Sequence, residues 1–350
     1  MEKLNLAGRC VGQGEPPYFI AEIGSNHNGD MELAKRMVDC AVQCGADAVK
    51  FQSWSKSSLI CRAEYRRNTE YADKHRHFGS LEAMCERYQF SEEQHHEIAG
   101  YCREKSIHFL SSAFSPAEVD LLEQLDVPCF KVASMDVNHL PLLEYIAQKG
   151  RPVLLSTGMA DLGEIERAVS VLRDNGSGPV CLLHCISIYP PDMRDINLNN
   201  IPMLRQAFGC PVGFSDHSLG VHVPLAAVTL GACIIEKHFT LDKGMEGWDH
   251  WISADPREFS DMTSQCRDVH TALGSTVRHV CEAEIKKREK FRRCMVVARD
   301  LPKGHCLSPA DLDFKRPGTA IRPDELVYVL GRPLIRDLEA DEELNWRDLG

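Results

Sequence analysis

Two histidines stand at matching places in the sequence, each directly after a short apolar run. His217 follows the run in "VGFSDHSLG", residues 212–220, and His238 follows the run in "CIIEKHFTLD", residues 233–242. The two histidines are 21 positions apart. This separation is too long for neighbours on one helix, but it fits one strand plus its crossover helix. Two imidazoles that converge can bind a divalent metal and leave positions open for a substrate oxygen and water. The pair therefore predicts a metal site.

Two lysines and several serines also follow apolar runs. Lys50 lies in "DAVKFQ" and Lys131 in "PCFKVAS". The serines at comparable positions are Ser112, Ser134, Ser156 and Ser215. Ammonium groups beside hydroxyl donors are suited to hold a phosphate group. Each residue alone has a plainer interpretation, because a lysine often pairs with a carboxylate on a rim and the serine of "STG" can cap a helix. Together they predict a site for a phosphorylated substrate.

Acidic and amide side chains complete the polar residues at the ends of the apolar runs. Glu22 can act as a general acid or base if its surroundings tune its pKa. Gln52, Ser187 and Tyr189 occupy similar positions and are further candidates for the same site. A single histidine at a strand end is more often a hydrogen-bonded structural group. Polar residues after every one of the apolar runs indicate one shared site.

Eight apolar runs, separated by helical patterns, must position these residues. They lie at 18–24, 47–52, 107–114, 128–134, 152–158, 180–187, 211–217 and 232–239. Most are continuous rather than alternating, as expected for parallel strands covered on both faces. The order predicts an α/β fold, a (β/α)8 TIM barrel, in which catalytic side chains gather at the C-terminal ends of the strands. The alternative is an open doubly wound sheet, although no GxGxxG motif follows the first run.

The chain is predicted to contain a barrel, a linker and a small second domain. The barrel is assigned to residues 1–280 and a charged linker to 281–290. Short strand patterns and recurring turn motifs assign a β-rich domain to 291–350. A polar stretch at 53–80 is longer than a simple crossover. It predicts either a mobile lid over the catalytic face or a plain surface excursion.

The composition limits the class of protein. A formal charge of −11 argues against broad nucleic-acid binding, which needs an extended basic surface, but it allows a local basic pocket. No apolar run reaches the roughly 20 residues that span a bilayer, and the N-terminus lacks the profile of a secretory signal. The 15 cysteines contain no CxxC pair. We therefore expect reduced thiols in a cytoplasmic protein, with a zinc cluster as the alternative.

Several ordered motifs resemble the sialic acid synthase (N-acetylneuraminate synthase) family. They are "AEIGSNHNGD", "ADAVKFQ", "FKVAS", "STGM", "LLHCISIYP", "GFSDHSLG" and "IIEKHFTLDK". Residues 291–350 resemble that family's C-terminal SAF, or antifreeze-like, domain. The resemblance implies a transferase that condenses phosphoenolpyruvate with an N-acylated hexosamine such as N-acetylmannosamine. Its product would be a nine-carbon 2-keto-3-deoxy acid, with release of phosphate.

Other activities stay open at this point. A legionaminic or pseudaminic acid synthase would take a diamino sugar. The sequence does not distinguish among three acceptors: N-acetylmannosamine, its 6-phosphate and a diamino sugar. A metal-dependent aldolase barrel would use an enolate, but the lysines and serines favour a phosphorylated donor. A non-catalytic carbohydrate-binding homologue would have no need of Glu22, the histidine pair and both lysines.

The resemblance also implies roles for the candidate residues at the reacting centre. His217 and His238 match the ligands of a divalent metal ion, usually Mn²⁺ or Mg²⁺. Glu22 and Asp249 match acidic residues of the catalytic and sugar site. The positions that match phosphoenolpyruvate-binding residues are Lys50, Ser112, Lys131, Ser134, Ser156 and Ser215.

The remaining matches concern the sugar. Ser187 and Tyr189 match sugar-contacting positions, although asparagine also occurs in the family where this chain has Ser187. Arg316, in "KRPG", matches the arginine that the small domain supplies to the sugar site of the neighbouring subunit. The resemblance therefore implies a domain-swapped homodimer.

One segment departs from the family pattern. After "LDK" this chain reads "GMEGWDHWISADP", so Trp248 and Trp251 introduce bulky aromatic side chains. The motif acid, Asp249, is retained, so the departure concerns the acceptor sugar rather than activity as such. A tryptophan beside a sugar site can stack on a pyranose face or simply fill volume.

Overall fold

Strands and helices alternate along most of the chain. The structure, a computed structural model, describes residues 2–70, 72–73, 76–77 and 79–350. The strands, in chain order, are β1 (Leu4–Leu6), β2 (Arg9–Val11), β3 (Tyr18–Gly24), β4 (Ala48–Ser53), β5 (Ala72–Asp73), β6 (Arg76–His77), β7 (His108–Ala113), β8 (Phe130–Val132), β9 (Val153–Ser156), β10 (Val180–Cys185), β11 (Val212–Asp216), β12 (Ile234–His238), β13 (Cys294–Val297) and β14 (Leu312–Lys315). The α-helices are α1 (Met31–Gln43), α2 (Lys56–Leu59), α3 (Arg62–Arg67), α4 (Leu81–Tyr88), α5 (Glu92–Glu104), α6 (Pro116–Gln124), α7 (Leu140–Ala147), α8 (Leu162–Asp174), α9 (Asn200–Phe208), α10 (His222–Thr229), α11 (Pro256–Leu273) and α12 (Glu282–Phe291).

Eight parallel strands, β3, β4 and β7 to β12, close into a barrel. The barrel closes at β3, where Glu22 is the register partner of His238 on β12 and of Lys50 on β4. Each barrel strand is followed by at least one helix. The predicted (β/α)8 TIM barrel is confirmed. The alternative of an open doubly wound sheet is wrong, because the first and last strands of the sheet are hydrogen-bonded to each other.

Side chains inside the barrel form an apolar layer and, nearer the C-terminal strand ends, a polar layer. Successive residues of a strand point to opposite faces, so Tyr18, Ile20 and Glu22 of β3 point inward. The other members of the apolar layer are Leu4, Leu6, Val11, Ala48, Leu110, Cys129, Leu154, Cys181, Leu183, Cys233 and Ile234. A Cβ on Gly213 would lie 2.8 Å from the Cβ of Ile234, so glycine is required at this crowded interior position. The polar layer lies directly next to this apolar layer, on the side of the C-terminal strand ends.

The outer faces of the strands pack against the helices. Phe51, Phe130 and Phe214 are among the buried side chains of this outer core. Burying a side chain of this size contributes about 1.5–3 kcal/mol. Helix starts are also specified locally, since Asp161 and Glu164 form a capping box at the start of α8. The outer core holds the barrel together, which leaves the strand ends available for polar residues.

The segment between β4 and β7 contains α2 to α5 together with β5 and β6. Tyr65, Leu81 and Tyr88 pack with Trp54 into a small apolar cluster of their own. The prediction of a mobile lid concerned residues 53–80, and residues 71, 74, 75 and 78 of that stretch lie outside the described residues. The lid stays a prediction.

The chain divides into two compact units, Met1–Gly274 and Ser275–Gly350. In the second unit, β13 and β14 pair in antiparallel fashion beside an apolar core that belongs to this unit alone. The small C-terminal β region is thereby confirmed. α12 occupies most of the segment that was predicted to be a linker, and the limits 1–280, 281–290 and 291–350 stay a prediction.

Two further features of the chain are its membrane-spanning character and the state of its thiols. Over the part of the chain that the structure describes, no helix has both the length and the apolar character needed to cross a bilayer. All 15 cysteines are free thiols, and most of them are buried. The cytoplasmic location stays a prediction.

Candidate active site

A cavity of about 370 Å³ lies at the C-terminal ends of the barrel strands. The predicted site residues that line it are Glu22, Lys50, Gln52, Ser112, Lys131, Ser134, Ser156, Ser187, Tyr189, Ser215, His217, His238 and Asp249. Arg316 belongs to the second unit, where it is exposed and its guanidinium lies 5.2 Å from the centroid of the Phe291 ring. The structure therefore brings the candidates of the barrel together, while the role assigned to each stays a prediction.

The floor of the cavity holds two lysines and two glutamates. Lys50 Nζ lies 2.6 Å from Glu22 Oε2, and the side chains of both residues are buried. Glu236 stands between the lysines, 3.8 Å from Lys50 Nζ and 3.9 Å from Lys131 Nζ. Ser215 Oγ donates to Glu236 Oε1 at 2.8 Å. Sequence analysis did not assign Glu236 to the site, although its place near the end of a barrel strand was a usable signal.

Burial and neighbouring charge act in opposite directions on these four groups. Burial raises the pKa of Glu22, and the Lys50 ammonium offsets this only in part. Burial lowers the pKa of Lys131, although the Glu236 carboxylate opposes that change. For Glu236, burial is outweighed by the two ammonium groups, so its pKa is lowered; for Lys50, burial is outweighed by the two carboxylates, so its pKa is raised. Glu22 and Lys131 thus have pKa values moved toward neutrality, which suits groups that exchange protons.

Serine hydroxyls surround the two ammonium groups. Lys131 Nζ donates to Ser156 Oγ at 2.7 Å, and Lys50 Nζ donates to Ser112 Oγ at 3.4 Å. α8 is capped by Asp161 rather than by Ser156. The interpretation of the "STG" serine as a helix cap is therefore wrong, and its hydroxyl is available to the cavity.

Gly158 allows close packing beside these hydroxyls. Its amide donates to Ser134 Oγ at 3.0 Å. A Cβ at this position would collide with the hydroxyl groups of Ser134 and Ser187. The glycine of "STGM" is therefore needed to keep both hydroxyls where they line the cavity.

His217 and His238 stand side by side at the ends of β11 and β12. Their ring centroids are 5.4 Å apart. The carbonyl of Ile186 accepts a hydrogen bond of 2.7 Å from Nδ1 of His217, which leaves Nε2 of this ring as its available nitrogen. Asp249 Oδ2 lies 3.8 Å from His238 Nδ1, and the Tyr189 ring centroid is 4.1 Å from that of His217. The imidazoles of His217 and His238 and the carboxylate of Asp249 therefore lie close together in the cavity wall.

A buried ion pair joins the same two strands on their outer face. Lys237 Nζ lies 2.5 Å from Asp216 Oδ2, and these residues are register partners between β11 and β12. Lys237 also donates to the carbonyl of Ser218 at 2.6 Å, and Asp216 Oδ1 accepts from the Ser218 amide at 2.8 Å. Asp216 and Lys237 directly precede His217 and His238. Because side chains alternate along a strand, the ion pair lies on the outer face while the two histidines point into the barrel.

Apolar side chains that sequence analysis did not assign form part of the cavity wall. The larger ones are Trp54, Leu59, Phe114, Met135 and Met159. Trp248, which sequence analysis related to the acceptor sugar, lines the cavity with them. Trp54 Nε1 donates to Gln52 Oε1 at 3.1 Å, and Gln52 Nε2 donates to Glu22 Oε1 at 2.8 Å. The positions of Trp54 and Phe114 just beyond strand ends were the available signal for them.

Comparison with known proteins shows the family. The model described as the NeuB family matches residues 37–278, more than half of the chain. The chain belongs to the NeuB family. The SAF domain model matches residues 292–350, so the predicted SAF region is confirmed.

Relatives of this NeuB-family chain match it over nearly all of its length. An uncharacterized protein of Methanocaldococcus jannaschii is 45% identical, covering 100% of this chain and 99% of the relative. N,N'-diacetyllegionaminic acid synthase of Legionella pneumophila is 38% identical, covering 95% of this chain and 94% of the relative. The crystal structure of N-acetylneuraminic acid (sialic acid) synthetase from Leptospira borgpetersenii has a TM-score of 0.73 at 33% identity, covering 82% of this chain and 95% of that chain. The resemblance to sialic acid synthases is confirmed at the level of the family.

Proposed function

We propose that this protein condenses phosphoenolpyruvate with the aldehyde form of an N-acylated hexosamine, giving a nine-carbon 2-keto-3-deoxy acid and phosphate. The observation that carries the proposal is the convergence of two buried lysines and two strand-end histidines on one cavity. The names of two relatives, a diacetyllegionaminic acid synthase and an N-acetylneuraminic acid synthetase, support the same type of product. N-acetylmannosamine is the reference acceptor, and the diamino sugars are the alternative.

The lysines and serines are proposed to hold phosphoenolpyruvate. Lys50 and Lys131 already lie beside the hydroxyls of Ser112 and Ser156. A bound phosphate or carboxylate would accept charge-assisted hydrogen bonds from both ammonium groups, and such bonds are shorter and stronger than neutral ones. Glu236, which lies within 4 Å of both ammonium groups, is proposed to offset their mutual repulsion before the donor binds.

The histidine pair fits a divalent metal ion. The carbonyl that holds Nδ1 of His217 fixes the tautomer in the way expected for a metal-binding imidazole. Across residues 2–70 and 79–350, the structure contains no group of three or more His, Cys, Asp or Glu side chains placed to share an ion. His217 and His238 would therefore hold the ion from the protein side, with substrate oxygen and water as further ligands. When bound, Mn²⁺ or Mg²⁺ would polarise the sugar aldehyde as a Lewis acid.

The other residues position the reactants and move protons. The C3 carbon of phosphoenolpyruvate attacks the aldehyde carbon, water adds at C2, and the C2–O bond to phosphate breaks. Glu22, with its raised pKa, is proposed to transfer a proton in these steps. Asp249, Ser187 and Tyr189 are proposed to bind the sugar hydroxyls and to orient the aldehyde toward the donor.

Completion of the site by a second subunit belongs to the same proposal. Arg316 is exposed in the SAF unit, and the family resemblance gives it to the sugar site of a partner chain in a domain-swapped homodimer. A cation brought from outside would contact the sugar and exclude water from the closed site, which strengthens the electrostatic contacts there.

The proposal predicts phosphate release that requires phosphoenolpyruvate, an N-acylated hexosamine and a divalent metal. Chelation should abolish release and Mn²⁺ or Mg²⁺ should restore it, while His217→Ala or His238→Ala should remove most activity without unfolding the barrel. His96→Ala, at an exposed position on α5, is the matched control and should keep full activity. Full activity after exhaustive chelation would contradict the metal site, and turnover of pyruvate in place of phosphoenolpyruvate would favour an aldolase.

A further inference from the structure

We propose that Asn26 is a positioning residue for Asp249, the acidic residue that is proposed to bind the sugar. Its amide fastens the loop after β12, residues 239–255, to the loop after β3. The inference rests on the proposed function, because it explains how one group of that site is held in place. Asn26 is fully buried and is not among the described residues that line the cavity, so it would act through Asp249.

The Asn26 side chain makes three hydrogen bonds to the loop after β12. Its NH₂ group donates to the carbonyl of Phe239 at 3.0 Å and to Ser253 Oγ at 2.9 Å. Its oxygen accepts from the Asp249 amide at 3.2 Å. Two acceptors on one side and one donor on the other fix the orientation of the Asn26 amide. An ionised aspartate of the same shape only accepts hydrogen bonds, so this position requires asparagine.

Both backbone polar groups of Asp249 take part in this arrangement. Its amide donates to Asn26, and its carbonyl accepts from Ser253 Oγ at 2.6 Å. Because Ser253 Oγ also accepts from Asn26, the three residues form a closed ring of hydrogen bonds. All three are buried. The ring fixes the backbone from which the Asp249 carboxylate extends into the cavity wall, where it lies 3.8 Å from His238 Nδ1.

A second set of contacts joins the same two loops beside the ring. Asn28 Nδ2 donates to the carbonyl of Glu246 at 2.8 Å, and Asn28 Oδ1 lies 3.4 Å from His250 Nε2. The other ring nitrogen of His250 shares a hydrogen bond of 2.6 Å with Thr240 Oγ1. Gly247 permits this close approach, because a Cβ there would lie 2.6 Å from Asn28 Oδ1. The loop after β12 is therefore fastened on both sides of the acid.

The position of these contacts in the barrel indicates which substrate they affect. They join the loops that follow the first and last barrel strands, β3 and β12, whereas the donor lysines lie on β4 and β8. A binding group displaced by about 1 Å can lower the rate about 100-fold. Loss of the Asn26 amide should therefore weaken use of the sugar and leave use of phosphoenolpyruvate nearly unchanged.

The first test is steady-state kinetics of full-length Asn26→Ala with N-acetylmannosamine, or with a diacetamido hexose if the wild type uses that sugar faster. We expect the KM of the sugar to rise at least tenfold, and the KM of phosphoenolpyruvate to change less than twofold. Ser253→Ala removes fewer hydrogen bonds and should raise the sugar KM at least threefold, which tests the inference even if Asn26→Ala does not fold. Asn175→Ala is the matched control, because Asn175 also donates to a backbone carbonyl but lies at the end of α8.

A double-mutant cycle separates positioning from a merely structural role. If Asn26 acts through Asp249, Asn26→Ala should change the sugar KM less than twofold when Asp249→Asn is already present. Additive losses in the cycle would overturn the inference and leave the proposed function standing. So would an unchanged sugar KM in both Asn26→Ala and Ser253→Ala.

Hydrogen exchange followed by mass spectrometry adds a measurement that needs no turnover. Amides of residues 239–255 should exchange at least tenfold faster in Asn26→Ala than in the wild type, while exchange in α8 should stay the same. Unchanged exchange in this loop, or equally faster exchange throughout the barrel, would overturn the inference. No phosphate release by the wild type with any sugar would instead overturn the proposed function, so the activity of the wild type distinguishes the two failures.

Discussion

Glu236 is the residue around which the floor of the cavity is organised. It lies within 4 Å of the ammonium groups of both Lys50 and Lys131 and accepts a hydrogen bond from Ser215. A buried charge is retained only when it is paired and hydrogen-bonded, and here each carboxylate has a cationic neighbour. The floor is therefore charged but balanced.

Lys131 should contribute directly to donor binding. Lys131→Ala removes a charge-assisted contact worth about 1.5–3 kcal/mol, so the KM of phosphoenolpyruvate should rise at least tenfold, with a smaller change in the KM of the sugar. Steady-state kinetics with each substrate varied in turn measure this. Lys105→Ala is the control, because Lys105 pairs with Asp39 at the surface. An unchanged donor KM in both Lys131→Ala and Lys50→Ala would mean that the phosphate binds elsewhere.

At the scale of single residues, sequence reasoning found the groups whose type alone suggests chemistry. Lys50, Lys131 and the histidines were assigned because cations and imidazoles are unusual beside apolar strand ends. Glu236 was not assigned, because its importance depends on its distances to two lysines on other strands. Trp54 and Phe114 were missed because an aromatic residue near a core needs no functional explanation.

At the scale of elements, the pairing of β11 with β12 sets the distance between the histidines. The ion pair of Asp216 with Lys237 is buried and joins residues that are opposite each other in the register. The residues that follow them, His217 and His238, are thereby held with ring centroids 5.4 Å apart. The ion pair thus supports the proposed metal ligands through the backbone, while the Ile186 carbonyl holds the His217 ring itself.

Breaking this ion pair should lower both the stability of the barrel and the affinity for Mn²⁺. Asp216→Asn leaves the buried Lys237 ammonium without its carboxylate, so it should destabilise the barrel by about 3–5 kcal/mol and bind Mn²⁺ more weakly than the wild type. Titration followed by electron paramagnetic resonance measures the affinity without relying on turnover. Asp126→Asn, which alters a pair with Arg151 near the surface, is the control. Unchanged Mn²⁺ affinity in folded Asp216→Asn would show that the pair does not position the histidines.

The barrel itself was largely predictable from the sequence, and the physical reason is clear. All eight barrel strands are short apolar runs, because parallel strands are covered on both faces, and the first of them was predicted with its observed limits, Tyr18–Gly24. The hairpin of β1 and β2 was not predicted, because strands of three residues are too short to show a period. Helices α2 and α3 were also not assigned, since they are short and polar.

At the scale of the whole molecule, the chain contains a barrel with the candidate active site and an SAF unit that carries Arg316. The two units have separate apolar cores, which is the organisation expected of parts that fold as distinct domains. A homodimer with two-fold symmetry would give each barrel the SAF unit of the other chain. This arrangement makes a prediction about mixed dimers.

Two inactive variants should restore activity when their subunits are exchanged. In a mixed dimer of Arg316→Ala and His217→Ala, one site carries both defects and the other carries neither, so activity should return to part of the wild-type level. Each variant carries a different affinity tag, so that mixed dimers can be detected and isolated. As a control, each variant is put through the same subunit exchange on its own. Proven mixed dimers without recovered activity would show that Arg316 serves its own barrel or no site at all.

The central claim is that this cavity joins C3 of phosphoenolpyruvate to the aldehyde carbon of an amino sugar. Carbon-13 NMR of a reaction with [3-¹³C]phosphoenolpyruvate, an N-acylated hexosamine labelled with ¹³C at C1, and Mg²⁺ tests it most directly. The account predicts that the vinyl signal of the label is replaced by a methylene signal coupled to a new hydroxyl-bearing carbon of the sugar chain, as phosphate appears in equal amount. A label found only in the methyl group of pyruvate, or left unchanged with every acceptor, would contradict it.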